Sequence, residues 1–503
     1  MKNKVTVTLN NTVVTAEEGI LLSTLLSSEK PCGGHGKCGK CKVIARGALS
    51  PLSEEEKRLL TEEEIAGGIR LACRTYVLGD SSVFTAIAKP EDNTRILCDG
   101  ALPEIALDPS FTKYGVAIDI GTTTLASVLY NKEGAALSYA TALNPQSTFG
   151  ADVISRIEAS LGGQAEPLAK SIRQGIDSLI STLSAKAKIS PLEIDGLVIT
   201  GNTVMLYLLT ESSPLSLSRA PFEADRLFGE TLTAQALGFS SLLPETEIYL
   251  PPCISAFVGA DTTCALLATE ICNKKDTLML ADIGTNGEMA LWHNGKLTVC
   301  STAAGPAFEG VGISMGMRAA SGAIDKVSVK DGELCVHTVD NAPPCGICGS
   351  GLIDAVSALL ELEELEDSGY LEEDPYPLAP PVHLTGKDIR MVQLAKSAIC
   401  AGIETLLDSE GLSASDVTAL YVAGGFGTYL DRDSARKTGL LPAALTECLQ
   451  AIGNAALGGA SLLLLNRSRA QCERIIDGVT VLELSSNPVF SESYMMGMIF
   501  EEK

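Results

Sequence analysis

One pattern occurs twice in this chain and narrows what it can fold into more than anything else. Tyr114-Gly-Val-Ala-Ile-Asp-Ile-Gly-Thr-Thr-Thr124 returns as Leu278-Met-Leu-Ala-Asp-Ile-Gly-Thr-Asn-Gly287. Each copy is an apolar strand ending in Asp-Ile-Gly-Thr, then a second strand, a turn (Lys132-Glu-Gly134 or Asn294-Gly295) and a third strand. A second pair also matches: Leu197-Val-Ile-Thr-Gly-Asn202 and Leu420-Tyr-Val-Ala-Gly-Gly-Phe-Gly427 are strands that break into a glycine turn. A single Asp-Gly turn at a strand end is common. Two in matched context predict a duplicated α/β fold of two lobes with one strand order and a cleft between them.

Such a turn is suited to phosphate. Asp119 and Asp282 stand at strand tips, where they can hold Mg²⁺ through water. Gly121 and Gly284 let the backbone approach phosphates, and the N–H groups and side chains of Thr122, Thr123, Thr124, Thr285 and Asn286 can bind their oxygens. Gly424, Gly425 and Gly427 are expected to cover adenosine. Glu288, shortly after Asp282, is the candidate for orienting water.

The N-terminal region carries different chemistry. Cys32, Cys38 and Cys41 form C-x5-C-x2-C on a glycine-rich loop, and Cys73 follows after a long gap. Three close thiolates and one distant one suit a 2Fe–2S cluster, with Gly33, Gly34, Gly36 and Gly39 letting the loop wrap it. Zinc is the rival, although zinc ribbons usually show two close pairs. The sequence predicts a hairpin over 4–9 and 12–15 around Asn10-Asn11, a helix over 20–28, a strand over 41–46, a capping box at Ser53-Glu-Glu-Glu56 and a last strand over 70–77. Strands wrapped on one helix with the cluster loop between them make a β-grasp domain. The loop resembles ferredoxins of the adrenodoxin type. The expected division is 1–90 for this domain, 91–112 for a linker and 113–503 for the two-lobed body.

Net charge is −24, which argues against nucleic acid. Residues 1–90 hold 12 Lys+Arg against 10 Asp+Glu, so the acidity belongs to the remainder. No apolar run approaches the ~20 residues of a membrane span, and the opening Met1-Lys-Asn-Lys4 leads into a strand pattern rather than a signal peptide. Fifteen cysteines without such a signal point to a reducing cytoplasm.

Other features have plain readings. Cys345-Gly-Ile-Cys348 opens a helix through Gly349-Ser-Gly351 and is read as a structural start. The scattered cysteines are read as core residues, His35 as a loop residue facing solvent, and the acidic runs 54–56, 62–64 and 361–367 as solvated helix faces.

The two Asp-Ile-Gly-Thr motifs and Val422-Ala-Gly-Gly-Phe-Gly427 resemble the two phosphate motifs and the adenosine motif of the actin, sugar-kinase and heat-shock-chaperone ATPases. With the cysteine loop in front, the chain resembles reductive activators of corrinoid proteins. Thr200-Gly-Asn-Thr-Val-Met205, Gly305-Pro-Ala-Phe-Glu-Gly310 and Gly346-Ile-Cys-Gly-Ser-Gly-Leu-Ile-Asp354 share that family's character. The resemblance implies a β-grasp 2Fe–2S domain followed by a duplicated actin-like (RNase H-like) ATPase. It also implies ATP as ligand, a corrinoid protein of a methyltransferase system as partner, a low-potential electron donor, and one-electron reduction of Co(II) to Co(I). The oligomeric state stays open between monomer and homodimer. Two alternatives are an activator of another low-potential enzyme, such as a 2-hydroxyacyl-CoA dehydratase, and a small-molecule kinase with a regulatory cluster and Asp261 as its base.

Overall fold

The computed structural model describes residues 4–9, 12–26, 34, 36–37, 39, 41–61, 64–65, 68–84, 106–466 and 469–502. The chain divides into two compact units, Met1–Asn93 with Pro145–Ser171, and Thr94–Asn144 with Ile172–Lys503. The stretch Pro145–Ser171 thus departs from the expected division, which placed it with the two-lobed body. Several of its polar links are internal: Gln146 Nε2 donates to the Leu168 carbonyl, and Arg156 Nε to the Gly150 carbonyl.

Eight named elements, six strands and two helices, surround one core in the N-terminal region. Strands β1 (Lys4–Leu9) and β2 (Thr12–Glu17) pair antiparallel, with Leu9 opposite Thr12. After β3 (Ile20–Leu21) come helix α1 (Leu22–Leu25), β4 (Lys42–Leu49), helix α2 (Glu54–Leu59), β5 (Ile69–Leu71) and β6 (Tyr76–Phe84). The sheet order is β2-β1-β6-β4-β5, with β1 parallel to β6. Alternation in β1 turns Val5 and Val7 inward against Leu22, Val43, Leu71 and Val83. The turn at Asn10-Asn11 lies outside the described residues. The expected helix over 20–28 is shorter, because Ile20 and Leu21 pair with Val77 and Tyr76; residues 27 and 28 lie outside the described residues. The expected strand over 70–77 is two strands broken by a turn at Ala72–Thr75, for a reason given below.

In the second unit the duplication is visible as two six-stranded sheets. The first has β7 (Tyr114–Ile120), β8 (Thr124–Asn131), β9 (Ala136–Leu143), β10 (Ile194–Gly201), β11 (Glu230–Thr233) and β12 (Glu247–Leu250), in the order β11-β12-β10-β7-β8-β9. After helix α3 (Ala260–Thr269), the second sheet begins with β13 (Leu278–Ile283), β14 (Gly287–His293) and β15 (Lys296–Thr302). Helices α4 (Gly349–Glu361) and α5 (Gly386–Ser409) follow, then β16 (Ala419–Ala423), α6 (Gly424–Tyr429), β17 (Leu449–Gly453), α7 (Ala455–Leu465) and β18 (Val479–Val481). Its order is β17-β16-β13-β14-β15-β18. In both sheets the Asp-bearing strand lies between its hairpin partner and a parallel strand ending in a glycine turn.

Helix α7 is apolar on nearly every side and almost wholly buried, so it belongs inside a core rather than on a surface. With α3 it joins Ala117, Val128 and Tyr249 of the first sheet to Leu280, Ala290 and Val299 of the second in one core. A second core sets α4 and α5 against β13 and β14 through Ile353, Ile399, Met279 and Met289. No helix among the described residues is long and apolar enough to cross a membrane.

Candidate functional site

Two of the four predicted cluster ligands, Cys32 and Cys38, lie outside the described residues, as does His35. The other two meet. Cys41 and Cys73 are buried, and their sulfurs are 3.2 Å apart. The Ala72 N–H donates to the Cys41 carbonyl at 2.8 Å, tying the two segments together. Gly34, Gly36 and Gly39 all take positive φ (79°, 67° and 68°), as a wrapping loop requires. The Cys73 thiol is pushed far up, first by Cys41 and then by burial, with Arg74 and the Gly36 backbone opposing. Two adjacent buried thiols resist becoming two thiolates unless positive charge stands between them. Iron supplies such charge, so this half of the ligand set fits a cluster.

Glu56 explains the turn that carries Cys73. Ser53 and Glu56 form the expected reciprocal cap of α2. The Glu56 carboxylate is buried, and it also accepts from Arg70 Nε (2.8 Å), the Leu71 N–H (3.0 Å) and Thr75 Oγ1 (3.0 Å). Drawing both Leu71 and Thr75 to one carboxylate breaks the strand between them. Cys73 sits in that break.

The phosphate loops occupy matching places in the two sheets. Asp119 lies beside Thr200 of β10, and Asp282 beside Ala423 of β16. Gly121 N–H closes the first loop on the Thr124 carbonyl (2.9 Å), and Gly284 N–H the second on the Asn286 carbonyl (3.0 Å). A residue within three positions of the end of each third strand braces its loop from behind. Asn144 N–H donates to the Thr123 carbonyl and its side chain to the Gly121 carbonyl, while Gly305 N–H donates to the Thr285 carbonyl, each at 2.9 Å. The loops are not identical. Ile120 pairs with Leu125 but Ile283 with Gly287, so the second is one residue shorter. Thr124 consequently starts β8, opposite Leu143, rather than standing at the loop tip.

Carboxylates converge on this cleft. Desolvation and then the Asp282 charge push Asp119 up to about 7, against a 3.0 Å hydrogen bond from Asn454 Nδ2. Desolvation, Asp261 and Glu309 push Asp282 to about 7. Asp261, in the first turn of α3, is pushed to about 7 by desolvation and Asp119. Glu288 is buried directly across the strand pair from Asp282, and desolvation, Asp261 and Asp282 raise its carboxyl well above the ordinary range. The first sheet has Ala126 opposite Asp119, so the acid pair belongs to the second lobe alone. Crowding of these acids away from water disfavours their simultaneous ionisation.

Of the adenosine glycines, Gly424 (φ 86°) brings the turn against Asp282: a Cβ there would lie 2.9 Å from Asp282 Oδ1. Gly425 is exposed and open. Gly427 is buried, and a Cβ there would lie 2.3 Å from Val422 Cγ1, so it seats α6 on its strand rather than facing the cleft. Cys345 is exposed and Cys348 is the buried residue before α4, in keeping with a structural helix start. Sequence reasoning missed Asn454, Asn144 and Glu309. Asn454 and Glu309 reach a motif far away in the chain, Asn144 bonds a loop across an intervening hairpin, and no local spacing marks any of them. Only Gly305-Pro-Ala-Phe-Glu-Gly310 carried a hint.

A cysteine loop built for iron and sulfur, followed by doubled phosphate hairpins on paired sheets, defines an iron–sulfur protein joined to an actin-like ATPase. Comparison with known proteins is specific. Residues 5–78 match the 2Fe-2S iron-sulfur cluster binding domain, 114–274 the RACo middle region, and 276–503 the C-terminal domain of RACo, the ASKHA domain. The chain is 36% identical over 424 residues to the corrinoid activation enzyme RamQ of Eubacterium limosum, covering 77% of this chain and 70% of that one. It is 27% identical to the [Co(II) methylated amine-specific corrinoid protein] reductase of Methanosarcina barkeri, over 71% of each. A solved reductive activator for corrinoid, iron-sulfur protein superposes with a TM-score of 0.72 at 28% identity, covering 99% of this chain and 98% of that chain. The chain belongs to the family of reductive activators of corrinoid proteins.

Proposed function

We propose that this chain transfers one electron to the Co(II) corrinoid of a partner protein, restoring Co(I) for methyl transfer, and that ATP drives the step. In this reading residues 1–90 carry the electron, 91–112 link, and 113–503 bind and hydrolyse ATP. Cys32, Cys38, Cys41 and Cys73 would hold a 2Fe–2S cluster, which supplies a one-electron store refilled by a low-potential donor.

The cleft residues divide the work on ATP. Thr122, Thr123, Thr285 and Asn286 present donors to phosphate oxygens from two sides, while Gly424 and Gly425 leave room for the nucleoside. Asn454 fixes the Asp119 carboxylate. Glu288 stands across from Asp282, where it can orient an attacking water. Among the described residues no three acidic, His or Cys side chains form a metal-holding group. Mg²⁺ keeps several waters and takes one or two carboxylates plus substrate phosphates. Asp119 and Asp282 would hold it.

ATP can make an unfavourable reduction proceed only through partner contacts whose energy differs between nucleotide states. Shifting an equilibrium by 10⁴ takes about 5.5 kcal/mol of such differential binding. The observation that carries the proposal is the presence, in one chain of this family, of a buried cysteine pair and a doubled phosphate clamp. The test follows the Co(II) spectrum of the corrinoid partner with reduced, cluster-loaded protein. ATP should convert it to the Co(I) spectrum, with far less conversion in its absence. Equal Co(I) yields with and without ATP overturn the reading.

A further inference from the structure

Glu309 touches both phosphate loops. Its Oε2 accepts from Thr123 Oγ1 of the first, and its Oε1 from Thr285 Oγ1 of the second at 2.6 Å. One carboxylate therefore ties together two hairpins from opposite sheets. Its turn, Pro306–Glu309, is anchored to the second loop by Gly305 N–H on the Thr285 carbonyl. The neighbouring Phe308 stacks on Phe426 of the adenosine turn, with ring centroids 4.6 Å apart and planes 11° apart.

A threonine hydroxyl has one proton to donate. Thr123 and Thr285 each spend theirs on Glu309, so neither can donate to a phosphate until Glu309 lets go. A carboxylate and a phosphate are both acceptors and both negative, so they repel at this distance rather than share. We propose that Glu309 is a positioning residue that stands in for phosphate in the nucleotide-free chain and is displaced by the β- or γ-phosphate. Its departure frees the turn that carries Phe308, so the presence of phosphate is reported to the adenosine turn. This inference rests on the nucleotide reading above.

The test uses the full, cluster-loaded chain, with affinities measured for a non-hydrolysable ATP analogue with Mg²⁺ and for AMP. E309A frees both hydroxyls and removes the competing charge. It should bind the ATP analogue about tenfold more tightly than wild type and AMP equally well. E309Q, which keeps the shape without the charge, should fall between. Thermal unfolding separates this role from simple packing: E309A should melt earlier than wild type without nucleotide and at the same temperature when saturated with the analogue. Unchanged or weaker binding of the analogue by E309A overturns the proposal, as does a melting deficit that persists at saturation. Failure of wild type to bind the analogue at all would instead overturn the nucleotide reading, and this inference with it.

Discussion

Two carboxylates show how differently one functional group is used in the two units. Glu56 is a structural hub. Burial works against its charge, but Arg70 and the N–H groups of Ser53 and Leu71 prevail and hold it below the usual 4.5. The folded unit therefore favours the ionised form. That stabilisation is complete above the ordinary glutamate value and is lost as pH falls through the depressed one. Cluster-loaded protein should accordingly bleach on acidification below about pH 4.5, the ordinary glutamate value, followed by visible absorbance. E56Q breaks a buried pair and should cost the unit about 3 kcal/mol, seen as a lower urea midpoint for cluster loss. Asp119 is the reverse case, held up near 7 by burial and by the Asp282 charge. D119A and D282A should each lower Mg-dependent ATP hydrolysis by roughly a hundredfold or more, measured as phosphate release, because each removes one side of the clamp.

Local patterns survived at the scale of elements, and tertiary contacts overrode them only at identifiable places. The hairpins β7–β8 and β13–β14 were legible because each is written in adjacent residues: an apolar run, a glycine turn and another apolar run. The Ser53–Glu56 cap was legible for the same reason. The strand over 70–77 was misread because its break is caused by Glu56, whose side chain arrives from another element. No propensity at Ala72 or Thr75 announces that. Helix α5 offers a second long-range device. Lys396 is fully buried, donates to the Ile499 carbonyl, and lies 4.9 Å from the Phe500 ring centroid. Gln393 on the same helix donates to the Met498 carbonyl at 2.7 Å. Together they pin the tail behind α8 (Pro488–Met496). K396M leaves the Ile499 carbonyl short of this donor, and the second unit should lose about 1–3 kcal/mol in a denaturant melt.

For the whole molecule, the sequence disclosed both kinds of chemistry but not the connections within them. The four-cysteine spacing and the paired Asp-Ile-Gly-Thr turns identified what each part handles. Asn454 and Glu309 were hidden because they act on Asp119 and Thr123 across 335 and 186 residues, a relation that only folding creates. The two chemistries should separate cleanly: C73A is expected to purify without visible absorbance yet release phosphate from ATP at about the wild-type rate. It should leave cobalt unreduced in the coupled assay. Loss of hydrolysis in C73A would show that the two activities cannot be parted.

Helix α7 carries a consequence for how the protein is made. It lies against β7 and β10, yet the first sheet's last strand ends at Leu250 and α7 begins at Ala455. A ribosome adding on the order of 5–20 residues per second needs tens of seconds to cover that distance. Through that interval the nascent first lobe has its strands but not the helix that covers them, and an uncovered apolar face in a crowded cell invites aggregation. Biogenesis of this protein therefore depends on keeping a half-finished lobe soluble until its covering helix emerges.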